Sequence, residues 1–545
     1  MIKKIVFLLF VPLALLAQDN KQNGQSVELP EFVITGVERV SLPTVTKPKA
    51  SLVSTLSNEF LKPIYSPEDL PIAEISNPVK KEVTFKVKTS DYNGRAILGL
   101  GYYRLPDGEL SYGQSFEKGV FFGKLFARND RAYVSNAGNS YSGIDLASSF
   151  FTSDTGSFFP GTRFNLGGKY DIRSFNYFAS DKPTDSRLIN RGRISGSVSN
   201  LLMQNFKFGL NLSEDFISLS DNDVNEKLFS SQAFIETGYN GFIINAGIDY
   251  KNQNLNKKFI GNAANNFFES NASLKLKPSD DLMLGGGLYY AGTDTSWLFT
   301  PQFFFSFKIN DEISLLGEFT PHADFKTVNS FVETNRYSNV NVPNVFEKSI
   351  SNLKLAVKYE FDTYFELEGG VRYTKYKNFA YFRTFTPFNG PEVFDNFAYA
   401  TTPKGRFDIM QTEANRFGGF VNLLFHLGPF GTFYGDVQLE DFQTPHAKRI
   451  PFNPAFTSNL SYSYDFSNGF TAGTKLALKS WSYADIQNKT EVPGFADLSF
   501  RLGYEIKHNF DIFSEVSNLF NRNNYYWYGY VEKPFDILFG IDYRW

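Results

Sequence analysis

The side chains that most often carry chemistry are few in this chain and stand far apart. There is no cysteine, which removes disulfides, thiolate metal sites, thiol nucleophiles and a lipidated N-terminal Cys together. The four histidines, His322, His426, His446 and His508, fall on different predicted turns and loops. None has a partner at metal-ligand spacing or a Ser in a nucleophile elbow. No catalytic residue, metal site or cofactor is therefore expected, although a Ser, a His and an orienting residue converging in space would leave no trace in sequence. Asp221, Asp223 and Asn225 begin like a calcium loop, but Glu226 stands where the Gly is required and Gln232 where the closing Glu is required. A solvated acidic loop is the expectation there. The strongest local signal is aromatic: Phe379, Tyr381, Phe382, Phe385, Phe388, Phe394, Phe397 and Tyr399 crowd one connection. A freely solvated loop does not hold so many rings. This is the candidate binding loop, which either packs on the chain itself or receives a ligand or a surface lipoprotein partner.

The elements that would position these residues are long two-faced strands. Phe535, Ile537, Phe539, Ile541, Tyr543 and Trp545 share one face, with Asp536, Leu538, Gly540, Asp542 and Arg544 on the other. Ala496, Leu498, Phe500, Leu502, Tyr504 and Ile506 alternate in the same way with Asp497, Ser499, Arg501, Gly503, Glu505 and Lys507. Runs of about 10 to 13 residues exceed the usual strand of a soluble sandwich and match the tilted strand that crosses a bilayer. Short turns at Lys507–Asn509, Ser467–Gly469, Gly428–Pro429, Asp362–Thr363, Asn310–Glu312, Ser279–Asp281 and Asn240–Gly241 alternate with long connections near 323–345, 376–409, 442–453, 482–492 and 520–533. The expectation is an all-β, antiparallel transmembrane barrel over 83–545, of about 22 strands within a range of 16–22, with short periplasmic turns and longer surface loops. It must close, because an unpaired amide in hydrocarbon costs several kcal/mol. Tyr373, Tyr376, Phe379, Tyr381, Phe382, Tyr525, Tyr526, Trp527 and Tyr528 lie near predicted strand ends, where an aromatic belt at the headgroups is expected. The alternative is that those beyond the bilayer line a ligand site.

Composition agrees with a barrel in lipid. Aromatics make up 17% of 545 residues, with 60 Phe and 30 Tyr, yet the mean hydropathy is only −0.27, so apolar residues must be diluted regularly by polar ones. With 54 Lys+Arg against 57 Asp+Glu, no nucleic-acid partner is implied. Lys3 and Lys4 precede an apolar run from Ile5 to Leu16 that is too short to span, and Ala17 suits a signal-peptidase cut, so 1–17 reads as a signal peptide. Residues 18–82 form a Pro-rich tail, with Pro30, Pro43, Pro48, Pro63, Pro67 and Pro71. Within it, Glu31, Phe32, Val33, Ile34 and Thr35, bounded by Pro30 and Gly36, could add a strand to another protein's sheet edge.

Val492-Pro493-Gly494-Phe495-Ala496-Asp497-Leu498, then Val516-Ser517-Asn518-Leu519-Phe520-Asn521-Arg522-Asn523-Asn524-Tyr525-Tyr526 and the terminal Ile541-Asp542-Tyr543-Arg544-Trp545, resemble the C-terminal end of TonB-dependent receptors. The resemblance implies a 22-stranded outer-membrane barrel. It implies that Phe539, Ile541, Tyr543 and Trp545 form the signal read by the barrel-assembly machinery, and that Glu31–Thr35 is a TonB-box-like segment for the energy-transducing protein. One departure stands out: the family's plug exceeds a hundred residues, whereas roughly 45 to 55 Pro-rich residues separate this segment from the first predicted strand. The expected function is passage of a solute across the outer membrane by a plugless receptor-like barrel. The alternative is a scaffolding barrel of an outer-membrane complex, its lumen occluded by its own tail or a partner, and an enzyme ranks last.

Overall fold

A computed structural model describes residues 93–545, apart from 153–159, 201–205, 222, 240, 258–260, 362–364, 385–402, 428–430, 446–448 and 467. The signal peptide, the tail and Glu31–Thr35 lie outside the described residues. So do His446 and, of the aromatic loop, Phe385, Phe388, Phe394, Phe397 and Tyr399.

The chain closes into an antiparallel barrel of 22 strands. Its sheet holds 23 ladder segments, because Ile313–Phe319 and His322–Thr327 pair with the same neighbour, Asn344–Phe361, as one strand broken at Thr320 and Pro321. Proline has no N–H to give the ladder. Closure joins the first strand, Gly94–Gly101, to the last, Asp536–Arg544, from Arg95 opposite Arg544 to Gly101 opposite Leu538. This removes the free edge that hydrocarbon would not tolerate. On the lumenal side the seam is braced by charge. Arg95 donates Nε and Nη2 to the two oxygens of Asp542 at 2.8 and 2.6 Å, and Arg104 reaches Asp536 and Glu515, each at 2.9 Å.

Period-two alternation sorts the two faces as the sequence implies. Phe539, Ile541, Tyr543 and Trp545 are exposed on the outside of the last strand, whereas Asp536, Leu538, Asp542 and Arg544 are buried on the inside. Phe500, Leu502, Tyr504 and Ile506 are likewise exposed on Phe495–Lys507. An exterior of exposed Leu, Ile, Phe and Tyr needs lipid rather than water around it.

Every turn expected from sequence falls between strands at one end, for example between Ser279 and Leu282 and between Lys507 and Phe510. The long connections gather at the other end. The expected 376–409 connection is shorter than the sequence suggests, because the flanking strands run on as Phe365–Thr384 and Phe407–Leu427, of 20 and 21 residues. At about 3.3 Å per residue and a tilt near 45°, a 20-residue strand rises roughly 45 Å against roughly 30 Å of hydrocarbon, so these two project past the membrane. Among the described residues the largest apolar core lies where the long connections meet, at the mouth of the barrel.

Candidate functional site

The mouth is roofed by connections from widely separated strands. The helix α1, Val328–Thr334, opens the connection between Thr327 and Asn344. Ser330 Oγ accepts the Thr327 N–H at 2.8 Å, and the buried Glu226 carboxylate accepts the N–H groups of Val328 and Asn329 at 2.9 and 3.1 Å. Donors that a helix start leaves unpaired are thereby satisfied from a strand distant in sequence. Gln253 donates to Glu226 at 2.5 Å and to Pro343 O at 2.9 Å, holding the far end of the same connection.

Beyond α1 the chain is anchored by a buried guanidinium. Arg187 is fully buried and donates to the carbonyls of Arg336 and Ser338 at 3.0 and 2.7 Å. It also forms a two-pronged pair with Asp221, at 2.7 and 2.9 Å. Asp221 further accepts from Arg406 at 2.7 Å and from the Tyr177 hydroxyl at 2.8 Å. Burial alone would raise the Asp221 carboxyl; the Arg187 guanidinium overcomes it and holds the group below the ordinary carboxylate range. The solvated acidic loop expected here is corrected for Asp221, which is the hub of a buried charge cluster with its carboxylate engaged by arginines, while Asp223 and Asn225 are exposed. Among the described residues no cluster of metal-ligating side chains occurs. His322 sits on its own strand with Nδ1 3.1 Å from Thr320 O, and His508 is exposed in a turn, so these two histidines do not converge.

Aromatic rings complete the roof. Tyr337 stacks on Tyr530 with centroids 3.6 Å apart, Phe175 meets Tyr337 edge-on at 5.3 Å and Phe178 meets Tyr530 at 4.8 Å. The Tyr530 hydroxyl donates to Gly405 O at 2.5 Å. Trp527 lies 5.3 Å from Phe382, 5.1 Å from Phe407 and 5.0 Å from Phe452. These residues come from the ends of strands on different sides of the ring, so the roof is a packed core assembled from loops.

Of the candidate binding loop, Phe379, Tyr381 and Phe382 are on the strand Phe365–Thr384 and buried, at 0%, 5% and 1% exposure. Phe382 joins the main roof, while Phe379 and Tyr381 join Tyr376, Phe442, Ile450 and Ile486 in a satellite cluster. The aromatic belt is accordingly corrected for Tyr376, Phe379, Tyr381, Phe382 and Trp527, which pack on one another instead of meeting headgroups; Tyr373 alone of that group faces outward, exposed. Sequence reasoning missed Tyr177, Arg187, Tyr337 and Arg406. Arg187 carries no local signal, since one Arg on the polar face of a strand looks like any lumenal charge.

No family model and no curated protein matches the sequence. Solved structures do match. The FrpB iron transporter of Neisseria meningitidis superposes with a TM-score of 0.63 at 11% identity, covering 84% of this chain and 82% of that one. The siderophore receptor PiuA of Acinetobacter baumannii gives 0.61 at 12%, with the same coverage. The copper transporter OprC gives 0.60 at 11%, covering 85% and 81%. The fold is that of the TonB-dependent receptor barrel. The lipid-facing exterior and the closed wall place this receptor-like barrel in the outer membrane. At such identity the likeness is one of fold, and the roof has to be read from its own residues.

Proposed function

We propose that the chain transports a solute across the outer membrane through the polar lumen of its barrel, with the loop roof as the outer gate. The observation that carries this reading is the closed 22-strand wall, apolar outside and lined inside by charged and amide side chains, which it shares in fold with transport receptors. No enzymatic step is assigned to it. A lumen of this diameter would leak if nothing filled it, and the packed roof supplies occlusion at the outer end. In this proposal residues 1–17 are the signal peptide and the tail 18–82 replaces the family's globular plug. Glu31–Thr35 is offered to a TonB-type protein, and the outward Phe539, Ile541, Tyr543 and Trp545 are read by the barrel-assembly machinery. The rings of the 379–399 segment form part of the gate or a seat for a surface lipoprotein.

A scaffolding barrel is the second reading, and the core-like packing of the roof is what favours it. The test is single-channel conductance of the purified chain in planar bilayers, with and without residues 18–82 and with the roof unlatched by Asp221→Ala. Openings in an altered form, absent from the unaltered chain, support transport. A silent barrel in every form, with a partner co-purifying stoichiometrically, would remove the transport reading and leave the scaffold.

A further inference from the structure

Several rings on the lumenal wall have a cation over them. Lys124 sits 5.8 Å over Phe126, Lys275 5.3 Å over Phe304, and Arg501 3.9 Å over Phe513, while Phe420 has Lys354 and Arg372 at 5.2 and 5.5 Å. Such a ring is paired and screened from the lumen. Phe234 differs. Its neighbours in sequence and register, Ile235 and Ile248 among them, mark the outer face, so Phe234 points inward, yet it is 42% exposed, and among the described residues no cation lies over it. The ring lies flat because its register partner is Gly209: a Cβ there would stand 2.3 Å from Phe234 Cε1.

Phe234 forms part of a wall recess of about 350 Å³, bordered also by Asn211, Gln232, Asp249, Glu269 and Asn271. Three amides offer both donors and acceptors, and two carboxylates offer acceptors only. Both carboxylates are already partly satisfied, since Asp249 accepts from Gln232 at 3.2 Å and pairs with Lys251 at 3.1 Å and Glu269 is hydrogen-bonded by Tyr289. The two carboxylates disfavour an anion, and the amide-rich rim would be left unpaired by a hydrocarbon. A flat apolar platform ringed by amides and carboxylates instead suits a neutral polyhydroxylated molecule, whose C–H face stacks on the ring while its hydroxyls meet the rim.

We propose that this recess is a saccharide-binding subsite on the lumenal wall, with Phe234 as its stacking platform and Gly209 as the residue that lets the ring lie down. The assignment rests on the reading of the lumen as a solute path, and its test is independent of passage. The purified full chain in detergent is titrated by calorimetry with maltohexaose, cellohexaose and chitohexaose. At least one should bind, with affinity falling about tenfold or more in Phe234→Ala and in Gly209→Ala, and being retained in Phe234→Tyr, which keeps the ring. Heat-modifiable migration on gels confirms that each variant is a folded barrel. No binding of any of the three, or binding unchanged in both Phe234→Ala and Gly209→Ala, would overturn the proposal. A sugar that binds to a barrel that never conducts would leave the subsite standing and remove only the transport reading.

Discussion

Replacing Asp221 by Ala should unlatch the roof while leaving the barrel closed. The carboxylate accepts from Arg187, Arg406 and Tyr177 at 2.7 to 2.9 Å. Without it the fully buried Arg187 keeps only two carbonyl partners. Leaving one member of a buried pair without its counter-charge costs about 3–5 kcal/mol. At about 1.4 kcal/mol per decade, that raises the population of the open roof by roughly 10²- to 4 × 10³-fold. The affected segments are 328–343 and 403–409, so hydrogen–deuterium exchange should accelerate there and remain slow in Gly94–Gly101 and Asp536–Arg544, whose ladder does not involve Asp221. Acid should act similarly on the unaltered chain. Because the Asp221 carboxyl is held low when folded, its contribution is present above the ordinary aspartate value near 3.9 and is lost as pH falls below it. Unchanged protection in 328–343, in the variant or well below that pH, would refute the latch. Equal acceleration over the whole wall would show that the roof is not an independent unit.

Three further outcomes follow from the same geometry. Trp527→Ala should leave a cavity between Phe382, Phe407 and Phe452 costing about 3–5 kcal/mol of roof stability, read as faster exchange in the loops with unchanged heat-modifiability. Gly405→Ala should weaken the roof by about 1–3 kcal/mol, because Gly405 has φ +73° and a Cβ would stand 2.7 Å from Ser180 backbone atoms; thermal melting followed by tyrosine and tryptophan fluorescence measures it. Arg95→Ala should act oppositely in space, breaking the two-pronged contact with Asp542 at the seam and raising exchange in the first and last strands while the roof stays protected.

How much was legible in the sequence follows from where the information is local. Alternation is a property of neighbours in the chain, so the faces of Phe535–Trp545 and Ala496–Lys507 could be read directly, as could turns such as Ser279–Asp281. The strand number followed from alternating short and long connections. The roof could not be read in this way. Its latch joins Arg406 to Asp221 across 185 residues and Arg187 to Ser338 across 151, and nothing near Arg187 distinguishes it from Arg191 or Arg193 on the same strand. The aromatic excess near Phe379 did register as a surface that must pack on something. Its placement was misjudged, because strand propensity alone does not say how far a strand outruns the bilayer.

This separation of local and distant contacts divides the molecule energetically. The wall is held by a backbone ladder that lipid makes obligatory, and its side chains contribute little core. The roof is the reverse: few ladder bonds, many buried rings, and an ion pair shielded from water by them. Several roof contacts, such as Arg406 to Asp221 and Arg187 to Ser338, close chain loops of more than a hundred residues, an entropy that is small only once the barrel has fixed the strand ends in place. The roof must therefore form after the wall closes and can open without the wall parting. Under the proposed transport function that ordering is what a gate on a rigid pore requires, and it makes the Asp221 cluster, rather than any lumenal charge, the point at which an incoming solute or partner would do most to shift the balance.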